Sequence, residues 1–201
     1  MRRVPLCMVL ALWITGCVQP PRPTKVPVQT IAVFPPNNRT GDRLLIAGAS
    51  FLEKYVLATE PYTVADALGA EARAQLAKAG FDVAAAPVTG EATNAQIPSS
   101  TDEAAAIAAR RHMEGAVLYI EIRRWESSGG TEPTAVIAWI VATLIDAPNG
   151  QVLWTAEHPP RPVQTPGVIS LGEAYAVAAH TLMAEMLAPL RPGRSASRTN
   201  G

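Results

Sequence analysis

Residues 116–157 read AVLYIEIRRWESSGGTEPTAVIAWIVATLIDAPNGQVLWTAE, and two turn sequences, SSGG and APNG, divide them into three runs rich in apolar residues. Asn149 and Gly150 readily adopt the positive φ angles of a tight hairpin turn. The runs have the length of strands and are rich in β-branched and aromatic residues. The stretch therefore predicts a three-stranded antiparallel meander, and it is the best-specified part of the fold.

The first two predicted strands differ in the polarity of their faces. In residues 116–125, apolar positions alternate with Tyr119, Glu121 and Arg123. We therefore expect one face to lie in the core and the other to be partly solvated. Residues 134–146 are apolar on both faces. This is typical of a central strand covered on both sides, or of a strand whose apolar outer face awaits a partner.

Helix signals surround the meander. Capping residues and three-to-four-residue apolar spacing predict helices over 63–80, 99–113 and 170–190. Short apolar runs predict further strands at 30–34 and 81–85. The predicted fold class is α/β, with a mixed sheet that contains the antiparallel meander and is packed by about three helices.

Three other segments are less regular. Residues 44–59 fit two short strands or one irregular helix, and the Gly-Ala-Ser interruption favours strands. Residues 87–98 are polar and poorly patterned, which predicts a loop. Residues 158–166 carry four prolines, so we expect an extended surface loop.

The amino terminus has the layout of an export signal: Arg2 and Arg3, then an apolar run over 4–14. That run is about half as long as the roughly 20 residues that a membrane-spanning helix needs. Ile14, Thr15, Gly16 and Cys17 follow, and they resemble the lipobox of bacterial lipoproteins. The resemblance implies cleavage before Cys17, a diacylglycerol on its sulfur and acylation of the new amino terminus.

The lipobox resemblance also implies a location. Val18, and not the Asp that retains lipoproteins at the inner membrane, follows Cys17. The expected location is the outer membrane, with the domain facing the periplasm and the lipid on Cys17 as the membrane contact. Cys7 lies inside the signal, so Cys17 is expected to be the only cysteine of the mature chain and no intramolecular disulfide can form.

The predicted organisation has four parts. Residues 1–16 form the signal peptide, and residues 17–29, rich in proline, form a semi-rigid tether. Residues 30–191 form a single α/β domain, and residues 192–201 form a disordered tail.

Composition and motifs argue against several functions. The chain has 17 basic and 17 acidic residues, so it lacks the excess positive charge of a nucleic-acid-binding protein. Its three histidines show no metal-ligand spacing. No P-loop, dinucleotide-binding motif or Gly-x-Ser-x-Gly is present. We therefore predict that the protein is not an enzyme and uses no cofactor.

Two polar clusters are candidate interaction sites. Asn38, Arg39 and Asp42 follow the first predicted strand, where open α/β sheets tend to bind ligands, although a plain connecting turn is the favoured interpretation.

The second cluster is Arg123, Arg124 and Trp125. It suits a binding surface, because Trp and Arg are enriched in interface hot spots. In the alternative interpretation Trp125 caps the core and the arginines pair with nearby acids. Trp139 and Trp154 are interpreted as core residues.

Several stretches resemble a family of envelope proteins. They are IAVFPPNNRTGD (31–42), GFDV (80–83), AVLYI (116–120) and DAPNGQVLW (146–154). They are similar to the curli-secretion lipoprotein and TolB amino-terminal-like group of lipoproteins, whereas residues 44–61 depart from the pattern. The resemblance implies an α/β sandwich and an accessory or assembly role in the envelope.

The sequence leaves three functional hypotheses. The first is a lipid-anchored domain that binds another envelope protein or forms a homo-oligomer. The second is an envelope enzyme or small-ligand binder that uses the loop at 37–42. The third is an accessory lipoprotein of an exporter of lipid or polysaccharide.

Overall fold

A computed structural model describes residues 23–47, 61–94, 96–129 and 133–193. The strands in these ranges are Thr24–Val26 (β1), Thr30–Val33 (β2), Asn37–Asn38 (β3), Leu45–Ala47 (β4), Tyr62–Thr63 (β5), Asp82–Val83 (β6), Ala116–Ser127 (β7), Ala135–Asp146 (β8), Val152–Gln164 (β9) and Leu190–Pro192 (β10). The helices are Val64–Lys78 (α1), Ala86–Thr93 (α2), Thr101–Arg110 (α3) and Leu171–Leu187 (α4).

The main sheet is mixed, with strand order β6-β2-β7-β8-β9. Strands β6, β2 and β7 are parallel, while β7, β8 and β9 form the antiparallel meander. The short strand β3 continues beyond β2 and pairs in parallel with β7. Two smaller pairs complete the fold: β1 with β10, and β4 with β5. The α/β class, the mixed sheet and the predicted meander are confirmed.

Helices cover both faces of the sheet, but unequally. Helices α1 and α4 pack on the inner face, where the larger core contains Leu68, Ile140 and Leu182. Helices α2 and α3 lie on the outer face, and the smaller core there joins Phe34 and Ile107. The outer core covers only the part of the meander nearest the start of β7.

The predicted helix caps are present. Thr63 and Asp66 form a reciprocal capping box at the start of α1, and Ser100 and Ser170 accept the capping hydrogen bonds of α3 and α4. None of the helices in the described ranges is long and apolar enough to cross a membrane.

Helix α2 corrects the loop predicted over 87–98. Pro87 lies in the first turn, where its missing N–H costs no helical hydrogen bond. The buried positions of α2 are Thr89 and Thr93, whose hydroxyls donate to the carbonyl oxygens of Ala85 and Thr89. Because threonines and not large apolar residues face the core, the sequence shows no amphipathic pattern.

Strand β9 corrects the loop predicted over 158–166. The strand extends to Gln164 despite its prolines, because it lies at the edge of the sheet and needs hydrogen bonds on one side only. The pairing also shifts between Ala138 and Ile140, so that Pro159 and Pro160 together lie opposite Trp139. A β-bulge therefore accommodates two residues that cannot donate to the ladder.

The boundaries of the domain also differ from the prediction. Residues 24–29 were assigned to the tether, but β1 pairs with β10, and Val26 and Val28 are buried. At the other end, Pro192 belongs to β10, and 194–201 lie outside the described residues. In residues 44–59, the strand expected at 44–47 is present as β4, whereas 55–58 lie outside the described residues.

Candidate functional site

A β-bulge in β7 sets the geometry of the outer face. Ile122 pairs with Ile140 and Arg124 pairs with Trp139, so β7 has one extra residue at this point. Arg123 and Arg124 are both exposed as a result, while Trp125 returns to the inner face. The bulge therefore presents two consecutive arginines beside a tryptophan of the neighbouring strand.

Glu121 links the two candidate clusters of the sequence, because it contacts Arg39 of the first and Arg123 of the second. Arg39 Nη1 donates to Glu121 Oε1 at 2.6 Å, and Arg123 Nε donates to Oε2 at 2.7 Å. The Glu121 side chain is only 8% exposed, compared with 59% for Arg39 and 38% for Arg123. A buried carboxylate is thus held between two guanidinium groups that reach solvent.

The environment of Glu121 keeps it ionised. Burial raises the pKa of Glu121, but hydrogen bonds and charges from Arg39 and Arg123 lower it by more, so the pKa lies below its usual value. An anionic Glu121 fixes both arginines near Tyr119, whose hydroxyl accepts a hydrogen bond from Asn37 at 3.0 Å.

Trp139 lies on the outer face, which corrects its prediction as a core residue. Its Nε1 donates to Glu157 Oε1 at 2.7 Å, and the guanidinium carbon of Arg123 lies 5.2 Å from the ring centroid. Along β8, Ile137 and Val141 share this face, and all three side chains are partly exposed. We call Arg123, Ile137, Trp139, Val141 and Glu157 the outer patch.

The outer patch lies beyond the part of the sheet that α3 covers. In the described structure the smaller core ends at Tyr119 and Ile145, and no helix covers Trp139. A partly exposed tryptophan, two aliphatic side chains, an arginine and a glutamate give this surface the composition of a protein interface.

Trp125 and Arg124 have different surroundings. Trp125 is 2% exposed and packs edge-on against Tyr175, with ring centroids 5.9 Å apart. Arg124 forms an exposed ion pair with Glu126 at 2.7 Å. Trp154, also predicted as core, is only partly buried, against the inner core.

The residues of the loop over 37–42 have two roles: Arg39 pairs with Glu121, and its neighbours form a turn. Arg39 belongs to the Glu121 cluster, but Asn38 Nδ2 donates to the carbonyl oxygen of Asp42 at 2.7 Å. Thr40 donates to Asn38 Oδ1 through both its N–H and its hydroxyl. The side chain of Asn38 and the backbone of Asp42 thus stabilise the turn.

The acid at the centre of the cluster, Glu121, is buried and ion-paired with Arg39 and Arg123. In the part of the chain that the structure describes, no group of three or more His, Cys, Asp or Glu could hold a metal ion. Sequence reasoning missed Glu121, Trp139 and Glu157 as parts of one surface. The alternation in β7 placed Glu121 with Arg123, but no sequence signal marked the bulge.

Comparison with known proteins gives the fold. A point variant of the PelC dodecamer from Paraburkholderia phytofirmans has a TM-score of 0.51 and 20% identity, covering 86% of this chain and 95% of that chain. A second PelC dodecamer structure from that organism has a TM-score of 0.51, 19% identity and the same coverage. Lipoprotein GNA1162 from Neisseria meningitidis has a TM-score of 0.42 and 22% identity, covering 69% of this chain and 82% of that chain.

At these identities, the likeness to PelC shows a shared fold alone. No protein family and no curated protein matches the sequence.

Proposed function

We propose that the protein is a lipoprotein of the bacterial envelope, anchored at the outer membrane through Cys17, whose periplasmic domain acts as an assembly factor by binding further copies of itself. The observation that carries the proposal is the outer patch, with Trp139 partly exposed on a sheet face that α3 leaves uncovered. The fold it shares with PelC, a protein crystallised as a dodecamer, supports self-assembly.

The chemistry of the patch fits a protein partner. Trp139 provides a large apolar contact of low conformational entropy, and Arg123 stacks on it with its guanidinium fixed by Glu121. Glu157 accepts the hydrogen bond of Trp139 Nε1 at the edge of the ring. Positive and negative groups thus flank one apolar surface, so two copies can place opposite charges together.

The anchor would hold this patch close to the membrane. With β1 beginning at Thr24, residues 18–23 separate the domain from Cys17. At ~3.1 Å per residue, such a proline-rich segment spans about 20 Å. Copies concentrated in one membrane plane at a similar height meet far more often than free copies, which favours a weak self-association.

Oligomeric state tests the proposal. We expect the purified full chain in lipid nanodiscs or mild detergent to form an oligomer by native mass spectrometry, and Trp139→Ala to weaken it by at least about tenfold, because interface tryptophans are common hot spots. Tyr62→Ala is the matched control, since Tyr62 is a 40% exposed aromatic residue off the main sheet. Circular dichroism checks that both variants fold. A monomeric wild type, or an unchanged Trp139→Ala oligomer, would contradict the proposal.

The anchor is tested separately. We expect the mature amino-terminal peptide to begin at Cys17 and to carry the mass of a diacylglycerol plus an amide-linked acyl chain. Replacing Cys17 by Ala removes the thiol that carries the diacylglycerol. The variant should therefore be released from membranes, because durable anchoring depends on the acyl chains. An unmodified Cys17 in the mass spectrum would contradict the lipoprotein assignment and leave the self-assembly test unaffected.

A further inference from the structure

A cavity lined by Arg73 lies at the carboxyl ends of β2 and β6, away from the outer patch. The helix that follows β2, after the short strands β3, β4 and β5, is α1 on the inner face, whereas β6 leads into α2 on the outer face. The carboxyl ends of β2 and β6 border a crevice, and open α/β sheets tend to bind ligands outside the carboxyl ends of their strands.

A cavity of about 490 Å³ occupies this crevice. That volume lies in the range of roughly 300–1,000 Å³ that small-molecule sites commonly have. The walls are mostly apolar, and the cavity contains one cationic side chain. The principal lining residues are Pro35, Pro36, Ala65, Gly69, Arg73 and Ile97.

Arg73 is the unusual member of the cavity. Its Nη2 donates to the carbonyl oxygen of Val33 at 3.1 Å, but its Nε is buried and has no hydrogen-bond partner among the described residues. Arg73 also makes no ion pair in the described part of the chain. Burial lowers the pKa of Arg73, although an arginine stays protonated at any physiological pH. Among the described residues, no anion therefore pairs with this half-buried cation.

The one acid at the cavity is already engaged. Asp66 Oδ2 accepts hydrogen bonds from the backbone N–H of Thr63 at 2.8 Å and from its hydroxyl at 2.6 Å. The first of these bonds, together with the one from the Asp66 N–H to Thr63 Oγ1, forms the capping box of α1. Asp66 and Arg73 are two helical turns apart on α1, or about 10 Å at the α-helical rise per residue.

Gly69 keeps the space beside Arg73 open. A Cβ at this position would lie 3.4 Å from Arg73 Nη1 and 3.4 Å from Pro36 Cδ, at the short limit of ordinary van der Waals contact, so a larger side chain would press on both. Glycine in the interior of a helix costs about 1 kcal/mol relative to alanine. The glycine thus weakens α1 locally but leaves the guanidinium accessible from the cavity.

We infer that this cavity binds an organic carboxylate with an apolar body, with the carboxylate paired to Arg73 and the body against Pro35, Pro36 and Ile97. The guanidinium offers Nη1, and a carboxylate satisfies its charge better than water or a neutral group does. The apolar walls favour a carbon skeleton over a small inorganic anion. The site is independent of the outer patch and of self-assembly.

Benzoate, its neutral isostere benzamide and inorganic phosphate are suitable probes, titrated by calorimetry into the full chain in nanodiscs with empty nanodiscs as blank. We expect benzoate to bind and benzamide and phosphate to bind at least about tenfold more weakly, since each lacks either the charge or the apolar body. Equal binding of benzoate and benzamide, or of benzoate and phosphate, would overturn the inference, as would no binding of benzoate.

Two variants locate the site. Arg73→Gln should weaken benzoate binding by at least about tenfold, whereas Arg110→Gln, which changes an exposed arginine of α3, should leave it unchanged. Gly69→Leu keeps Arg73 and fills the cavity, so it should also abolish binding, and it tests the site if Arg73→Gln fails to fold. Benzoate binding that survives in both cavity variants would overturn the assignment.

Discussion

Glu121 and Arg73 are both charged side chains withdrawn from water next to the main sheet, but their surroundings differ. Glu121 lies between Arg39 and Arg123, and each of its carboxylate oxygens accepts a hydrogen bond from a guanidinium. Arg73 has one carbonyl partner, and its Nε has none in the described structure. The first region satisfies its buried charge within the chain, whereas the second does not.

This difference suggests that the charge of Glu121 serves the fold, whereas the charge of Arg73 serves a ligand. Withdrawing a charge from water is costly unless hydrogen bonds and an opposite charge replace the solvent. At Glu121 the replacement is complete, so the cluster fixes the orientation of Arg123 beside Trp139. At Arg73 an external anion paired with Nη1 would supply the opposite charge, while Nε stays buried without a partner among the described residues. Removing partners should therefore harm the first region, and removing the charge should be tolerated in the second.

The largest expected effect comes from removing both partners of Glu121. Replacing Arg39 and Arg123 by Ala leaves a buried carboxylate without a cation, so we expect the free energy of unfolding to fall by about 3 kcal/mol. Urea denaturation at neutral pH measures it. Arg124→Ala is the control, because its pair with Glu126 is exposed on both sides and should contribute little to stability.

If the double variant lost no more stability than Arg124→Ala, the cluster would not stabilise the fold. Glu121 would then resemble Arg73 as a charge that the fold merely tolerates.

An intermediate effect is expected from the charge of Glu121 alone. Glu121→Gln keeps the shape but loses the ion pairs, and we expect it to lower stability by about 1–2 kcal/mol near pH 7, because both arginines can return to solvent. The pKa of Glu121 is lower in the folded state than the value of about 4.3 in the unfolded chain. The advantage of the wild type is therefore present above about pH 5 and disappears as pH falls through the folded-state pKa.

Urea titrations of both proteins between neutral and acidic pH measure this difference. A stability gap that stayed constant down to acidic pH would show that the carboxylate charge is not its source.

The parts of the fold that were predictable are those where local signals agree. In the meander, alternating apolar residues and an Asn-Gly turn indicate the same strands, and Thr63 and Ser170 mark the starts of α1 and α4. Where tertiary contacts override local signals, the predictions were wrong. The prolines of β9 are tolerated because of its place at the sheet edge, and β1 forms because β10 pairs with it from the other end of the chain.

The candidate site was predicted only in pieces. Arg39 and Arg123 are both candidate residues in the sequence, but Arg39 reaches Glu121, 82 positions away, only through the pairing of β3 with β7. The bulge in β7 changes which residues share a face, and no sequence signal marks it. Trp125 lies in the core, as one of the two interpretations of its cluster expects, whereas Trp139 is partly exposed on the outer face. Arg73 carries no sequence signal at all, because an arginine in an amphipathic helix is ordinarily solvated.

The smallest expected change in stability is that of Arg73→Met. Removing the guanidinium relieves the cost of a half-buried cation with an unpaired Nε, but it also removes the hydrogen bond to the carbonyl of Val33. The relieved burial cost and the lost hydrogen bond change the free energy of unfolding in opposite directions and by similar amounts. We therefore expect urea denaturation to show a net change within about 1 kcal/mol. A loss of 3 kcal/mol or more, of the order of that expected at Glu121, would mean that the chain itself satisfies Arg73. The reason to look for an anion in the cavity would then disappear.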